Sequence, residues 1–147
     1  MKFKLLAASA LILFSQQTLA KDGWLLLNAT QSQGKYDLYL NTKTLQREGA
    51  VINVTLRYAY REATVFPFLN FKYDSKEQLN YFECAARKMV MAKTDFLLDK
   101  KVVHSINMTA PNPLMGGRSA FDPQPVPAGT PEEEAFNLAC KYGQDKK

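Results

Sequence analysis

The stretch Ala50–Glu62, AVINVTLRYAYRE, alternates strictly. Ile52, Val54, Leu56, Tyr58 and Tyr60 fall on one side; Asn53, Thr55, Arg57 and Arg61 fall largely on the other. Successive side chains of a strand point to opposite faces. The pattern therefore predicts a strand with one face on a core and one in water, as in an antiparallel sheet. Upstream, Gly23–Asn28 is a short apolar run that suits an opening strand, Ala29–Lys35 is polar and turn-like, and Tyr36–Leu40 is rich in β-formers. Asn41–Gly49 carries the chain through a turn into a short further segment, with Glu48-Gly49 as the next turn. In Val65–Ser75 the pattern breaks at Pro67, which argues against a central strand because proline cannot donate to the ladder.

Lys76–Asp99 admits two readings. With a period of two, Phe82, Cys84, Ala86 and Val90 share a face, yet the middle, CAARKMVMAK, also holds good helix formers. The aromatic and β-branched flanks favour a strand. Asp99-Lys100 then reads as a hairpin turn into Lys101–Met108. Residues 109–129 hold five prolines and three glycines and read as an extended, exposed connector. Residues 130–143 predict a closing helix. Thr130 is the N-cap, Pro131 sits at the first helical position, and Glu133 completes a capping box. Glu132, Glu133 and Glu134 suit the positive end of the helix dipole, a reading preferred over a carboxylate metal site. Phe136, Cys140 and Gly143 form one stripe, which is expected to face the sheet. The fold class read from these patterns is α+β: an antiparallel sheet of about five or six strands and a C-terminal helix.

Composition changes the picture in two ways. Lys2 and Lys4, the apolar run Leu5–Phe14 and the small residue Ala20 make residues 1–20 a secretory signal peptide, leaving residues 21–147 as a single domain. The apolar run is shorter than the roughly 20 residues a spanning helix needs. Lys21 follows the expected cleavage site, so nothing there accepts a lipid. Loss of Lys2 and Lys4 leaves 17 basic against 14 acidic residues and takes the charge from +5 to +3. Such a chain can favour anionic surfaces or glycans, but it has no dense basic stripe for nucleic acid.

The second change concerns Cys84 and Cys140, an even count in an exported chain, for which a disulfide is the default. A reactive thiol and a metal site compete with that reading. A metal site would want a close C-x-x-C pair or histidine partners, and His104 is the sole histidine. The closing helix is short and follows a long connector, so a covalent tie from Cys140 to the Cys84 segment would fix it to the sheet.

No catalytic, cofactor-binding or metal-ligating set emerges. His104 and Ser105 are adjacent on an expected strand and point to opposite faces, so they cannot simply pair as base and nucleophile. Aromatic and basic residues are more suggestive. Arg57, Tyr58, Tyr60, Arg61, Phe66, Phe68, Phe71 and Lys72 cluster in one third of the chain, with Tyr73 beside them. Aromatics with arginine anchor many protein interfaces, while the same residues also suit the core of a small sheet.

Three segments together resemble the surface-adhesin protein E family of Gram-negative bacteria: YDLYLNTKTLQREGAVINVTLRYAY, LNYFECAARKMVMAKTDFLLDKK and VPAGTPEEEAFNLACKYG. The order of sheet, cysteine segment, proline-rich connector and cysteine helix covers nearly all of residues 21–147. The resemblance implies an antiparallel sheet with a C-terminal helix linked through Cys84 and Cys140, and a homodimer among the assemblies open to it. It also implies a non-catalytic cell-envelope protein that binds host extracellular-matrix or serum proteins such as vitronectin, laminin and plasminogen. The lack of a lipid-accepting cysteine keeps a second reading in view, a soluble periplasmic accessory protein with no host ligand.

Overall fold

In a computed structural model of the chain, the described residues are 22–27, 34–109 and 122–142. The expected signal peptide and Gly143 lie outside them, as does most of the proline-rich connector. Eight strands and one helix follow in order: β1 (Trp24–Leu26), β2 (Tyr36–Asn41), β3 (Gln46–Glu48), β4 (Val51–Phe66), β5 (Phe71–Glu83), β6 (Lys88–Leu98), β7 (Lys101–Asn107), β8 (Gln124–Pro125) and α1 (Pro131–Tyr142). The fold is α+β, with more strands than the sequence pattern suggested, because β1, β3 and β8 are only two or three residues long.

All pairings are antiparallel, and the sheet runs β1-β2-β4-β5-β6-β7. Of the short strands, β3 and β8 extend edges already begun by longer ones, while β1 adds an edge of its own beside β2. β2 pairs with residues 56–60 of β4, and β3 continues along the same strand at residues 51–53. A single 3-10 turn, Thr42–Thr44, joins them, capped by Asn41, whose side chain accepts from the Lys43 N–H at 3.0 Å. On the other side β7 covers residues 93–98 of β6, and β8 takes Lys88 and Met89.

The alternating stretch forms the centre of β4. Ile52, Val54, Leu56 and Tyr58 are buried on one face, with Leu38 and Leu40 from β2 and Phe82 from β5. Helix α1 closes this core with Ala135, Phe136, Ala139 and Cys140; the Phe136 and Phe82 rings lie 5.2 Å apart. Thr130 caps the helix by accepting the Glu133 N–H at 3.3 Å. The returning bond departs from the standard box: Glu133 accepts from the Gly129 N–H at 2.8 Å, one residue upstream of the cap. The same carboxylate pairs with Arg87 at 2.8 Å.

Two expectations need correction. Lys76–Asp99 is not one strand. It holds the end of β5, a turn at residues 84–87, and β6. The helix formers in CAAR occupy that turn, where Arg87 takes a φ of 52°. Cys84 therefore sits at a turn rather than in a strand, and its disulfide to Cys140 spans a Cα–Cα distance of 5.7 Å. The break at Pro67 is likewise a turn between two central strands, since β4 runs to Phe66 and β5 starts at Phe71. Proline avoids the ladder by occupying the turn itself.

The Asp99-Lys100 hairpin forms as read. Both residues have positive φ, 50° and 65°, the requirement of a two-residue turn that follows strand twist. Asp74 supports it by accepting the Asp99 N–H at 2.9 Å.

Candidate functional site

The pairing of β4 with β5 is regular from Val51 to Ala59, breaks, and resumes at Thr64. The break divides the longest hairpin into a base under the helix and an arm beyond it. On the arm, Phe66 and Phe71 are cross-strand partners whose rings stack at 5.3 Å with planes 4° apart. Phe96 of β6 packs edge-on against Phe66 at 5.4 Å, Phe71 at 5.1 Å and Tyr73 at 4.9 Å. His104 of β7 stacks on Phe71 at 4.7 Å. Pairs of this kind are each worth about 0.5–1.5 kcal/mol beyond buried area, so ring contacts brace the arm.

Rings continue inward. Tyr73 meets Tyr60 at 5.4 Å, Tyr60 meets Tyr36 at 5.8 Å, and Tyr36 meets Tyr58 at 5.2 Å. They continue outward to Phe68, which touches Phe66 at 6.4 Å and is 88% exposed. Leu69 and Val65 are exposed beside it, and Lys72 adds an exposed cation. Phe66, Phe68, Phe71 and Lys72, marked in the sequence, thus come together at the tip of one hairpin. Tyr60 lies midway along the ring series. Arg61 is exposed at the start of the arm, with Asp37 at 3.8 Å.

Arg57 and Tyr58 do not join this surface. Tyr58 is buried, and its hydroxyl donates to Glu132 at 3.0 Å. Burial, then the Glu132 carboxylate, pushes that phenol well above its usual value. Arg57 alternates to the opposite face, where it pairs with Glu77 at 2.6 Å and covers the Trp24 ring at 3.9 Å. The sequence reading missed Leu69 and Val65 at the tip, and Phe96 and His104 beneath it. Phe96 and His104 lie more than 20 residues from the aromatic cluster in sequence, and only their cross-strand pairing reveals the link.

Beside the helix, an open groove of about 700 Å³ lies over β5 and β6. Lys76, Gln78 and Asn80 from β5 and Met89 and Met91 from β6 line it, as do Met108, residues of the 122–127 segment, and Tyr36, Tyr58 and Glu132. The Lys76 ammonium sits over the Tyr58 ring at 4.4 Å. Burial lowers its pKa, and Glu132 partly opposes that shift. Asn80 is wholly buried; its Nδ2 donates to the Gln78 carbonyl at 3.1 Å, and its Oδ1 has no partner among the described residues. The described residues contain no cluster of three or more His, Cys, Asp and Glu that could hold a metal ion.

A sequence profile of the surface-adhesin protein E family matches residues 24–141, from the first residue of β1 to the last turn of α1. The chain belongs to the surface-adhesin protein E family. The crystal structure of protein E from non-typeable Haemophilus influenzae has a similar fold, with a TM-score of 0.55 over 85% of this chain and 80% of that one. Sequence identity is 12%, so that likeness speaks for the fold alone. No curated protein sequence gives a significant match. Among the described residues of this protein E family member, no helix is long and apolar enough to cross a membrane.

Proposed function

We propose that the protein is a non-catalytic, adhesin-type binding protein of the cell envelope. In this reading residues 1–20 direct export, residues 21–147 form one domain, and a protein partner docks on the tip of the β4–β5 arm. The carrying observation is Phe68, 88% exposed on a tip that stacked aromatic rings hold in place. A large apolar side chain on a braced hairpin is a ready anchor, because little conformational freedom remains to be lost on binding. Lys72 at the tip and Arg61 at the start of the arm add charge at the rim. Family membership supports export and a binding role, and the matrix and serum proteins implied by the family resemblance are the first partners to try.

The test uses surface plasmon resonance with oxidised protein over immobilised vitronectin, laminin and plasminogen. Saturable binding to at least one is expected, weakened about tenfold or more by Phe68→Ser. No binding to any of the three, or binding that ignores Phe68→Ser, counts against this reading. Protease treatment of intact cells, compared with cells whose outer membrane has been opened, separates a surface-displayed protein from a periplasmic one.

A further inference from the structure

The groove beside the helix holds a concentration of sulfur that the binding role of the arm does not use. The chain has five methionines, and Met89, Met91 and Met108 all line this one groove. Strand register brings them there. Met89 and Met91 are two apart on β6, so they share a face, and their partners on β5 are Phe82 and Asn80. Met108 follows β7, and its N–H donates to the Ala92 carbonyl at 2.8 Å, which sets it beside Met91. All three are only half-buried. Full burial would favour pure core packing; here the thioethers border open space.

We propose that Met89, Met91 and Met108 form a thioether site for a soft monovalent cation, copper(I) or silver(I), on the floor of this groove. Thioether sulfur is a soft ligand that selects copper(I) over harder ions. Methionine has three rotatable bonds, so three neighbouring side chains can converge on one ion without moving the sheet. One sulfur is already oriented, since the Thr94 hydroxyl donates to Met91 Sδ at 3.3 Å and leaves a second lone pair for a metal. Met89 rests against the edge of the hydrophobic core, which limits its freedom.

Competition within the chain is small. Both cysteines are tied in the disulfide and no free cysteine exists, so thioethers are the sulfur donors on offer. The groove's cation, Lys76, is four residues along β5 from Asn80, the residue level with Met91. Four residues of strand is about 13 Å of backbone, and the Lys76 ammonium is engaged over the Tyr58 ring at 4.4 Å. This inference does not depend on the arm reading.

The experiment titrates silver(I) into the oxidised full-length mature protein while following methionine methyl resonances by NMR. The resonances of Met89, Met91 and Met108 should move together and saturate at one silver per chain, while zinc(II) and calcium(II) leave them unmoved. Copper(I) competition with a chromophoric chelator should then show Met91→Leu and Met108→Leu each weakening affinity about tenfold or more. Leucine keeps the apolar volume, so the melting temperature of both variants should stay close to that of the parent. The proposal is overturned if silver does not saturate, if Met115 alone responds, or if binding survives replacement of all three groove methionines. The last result would point to His104 instead.

Discussion

The base and the arm of the sheet are built from the same two strands, yet they are stabilised differently. At the base, β4 and β5 present Ile52, Val54, Leu56 and Phe82 to a helix that is itself held by a disulfide. On the arm, the same strands present Phe66, Phe71 and Tyr73 to one another and to Phe96 and His104, with no helix of the described residues above. The base is a closed core, whereas the arm is a surface stack that ends in an exposed Phe68. If the proposed partner docks on the tip, stability and recognition are separated along one hairpin. The boundary is the pairing break between Ala59 and Thr64.

That comparison can be broken most forcefully at the disulfide. Cys140→Ser opens a loop with a sequence separation of 56. Chain entropy then predicts a loss of about 4 kcal/mol, read by urea denaturation. An unchanged midpoint would mean the helix docks without its tie. Next in size is Phe136→Ala, which empties the contact with Phe82 and should cost about 3 kcal/mol in the same assay.

A third test is alkaline. Tyr58 and Tyr60 are both raised, first by burial and then by Glu132 for Tyr58 or by Tyr73 for Tyr60. Groups raised on folding contribute stability below the unfolded value of 10.0, and this is lost as pH climbs above it. Tyrosinate absorbance should therefore lag in the folded protein, and stability should fall as pH passes 10.0. Titration of Tyr58 and Tyr60 with a midpoint at the unfolded value, with the fold intact, would contradict the buried phenols. The smallest effect belongs to the arm: Phe68→Ser should move stability by no more than about 0.5 kcal/mol, since the side chain is exposed. A larger loss would make the tip part of the core rather than a free surface.

Much of the fold was legible in the sequence. The alternation in β4, the Asp99-Lys100 turn and the capped helix each carry a local signal with a physical cause, and each formed where the signal lay. The turn at residues 84–87 was hidden because it contains neither glycine nor proline, and Ala-Ala-Arg-Lys reads as helix. The short strands were hidden for another reason. Two or three residues cannot show a period, and β3 and β8 exist only as continuations of edges begun by β2 and β7. For the candidate site, the sequence marked the right aromatic region but could not sort it. Adjacent residues such as Arg57 and Tyr58 part to opposite faces, and Phe96 and His104 arrive from other strands.

The lengths of β4 and α1 have a mechanical consequence. Sixteen residues of strand extend about 50 Å, whereas the twelve-residue helix covers about 18 Å. A partner held at the tip and pulled along the hairpin would load β4 in shear against β2 and β5 in shear against β6. In that direction the ladder hydrogen bonds share the force side by side instead of failing one at a time. An arm joined this way to a cross-linked base can carry tension, and under the proposed binding role its tip would stay free to meet a partner.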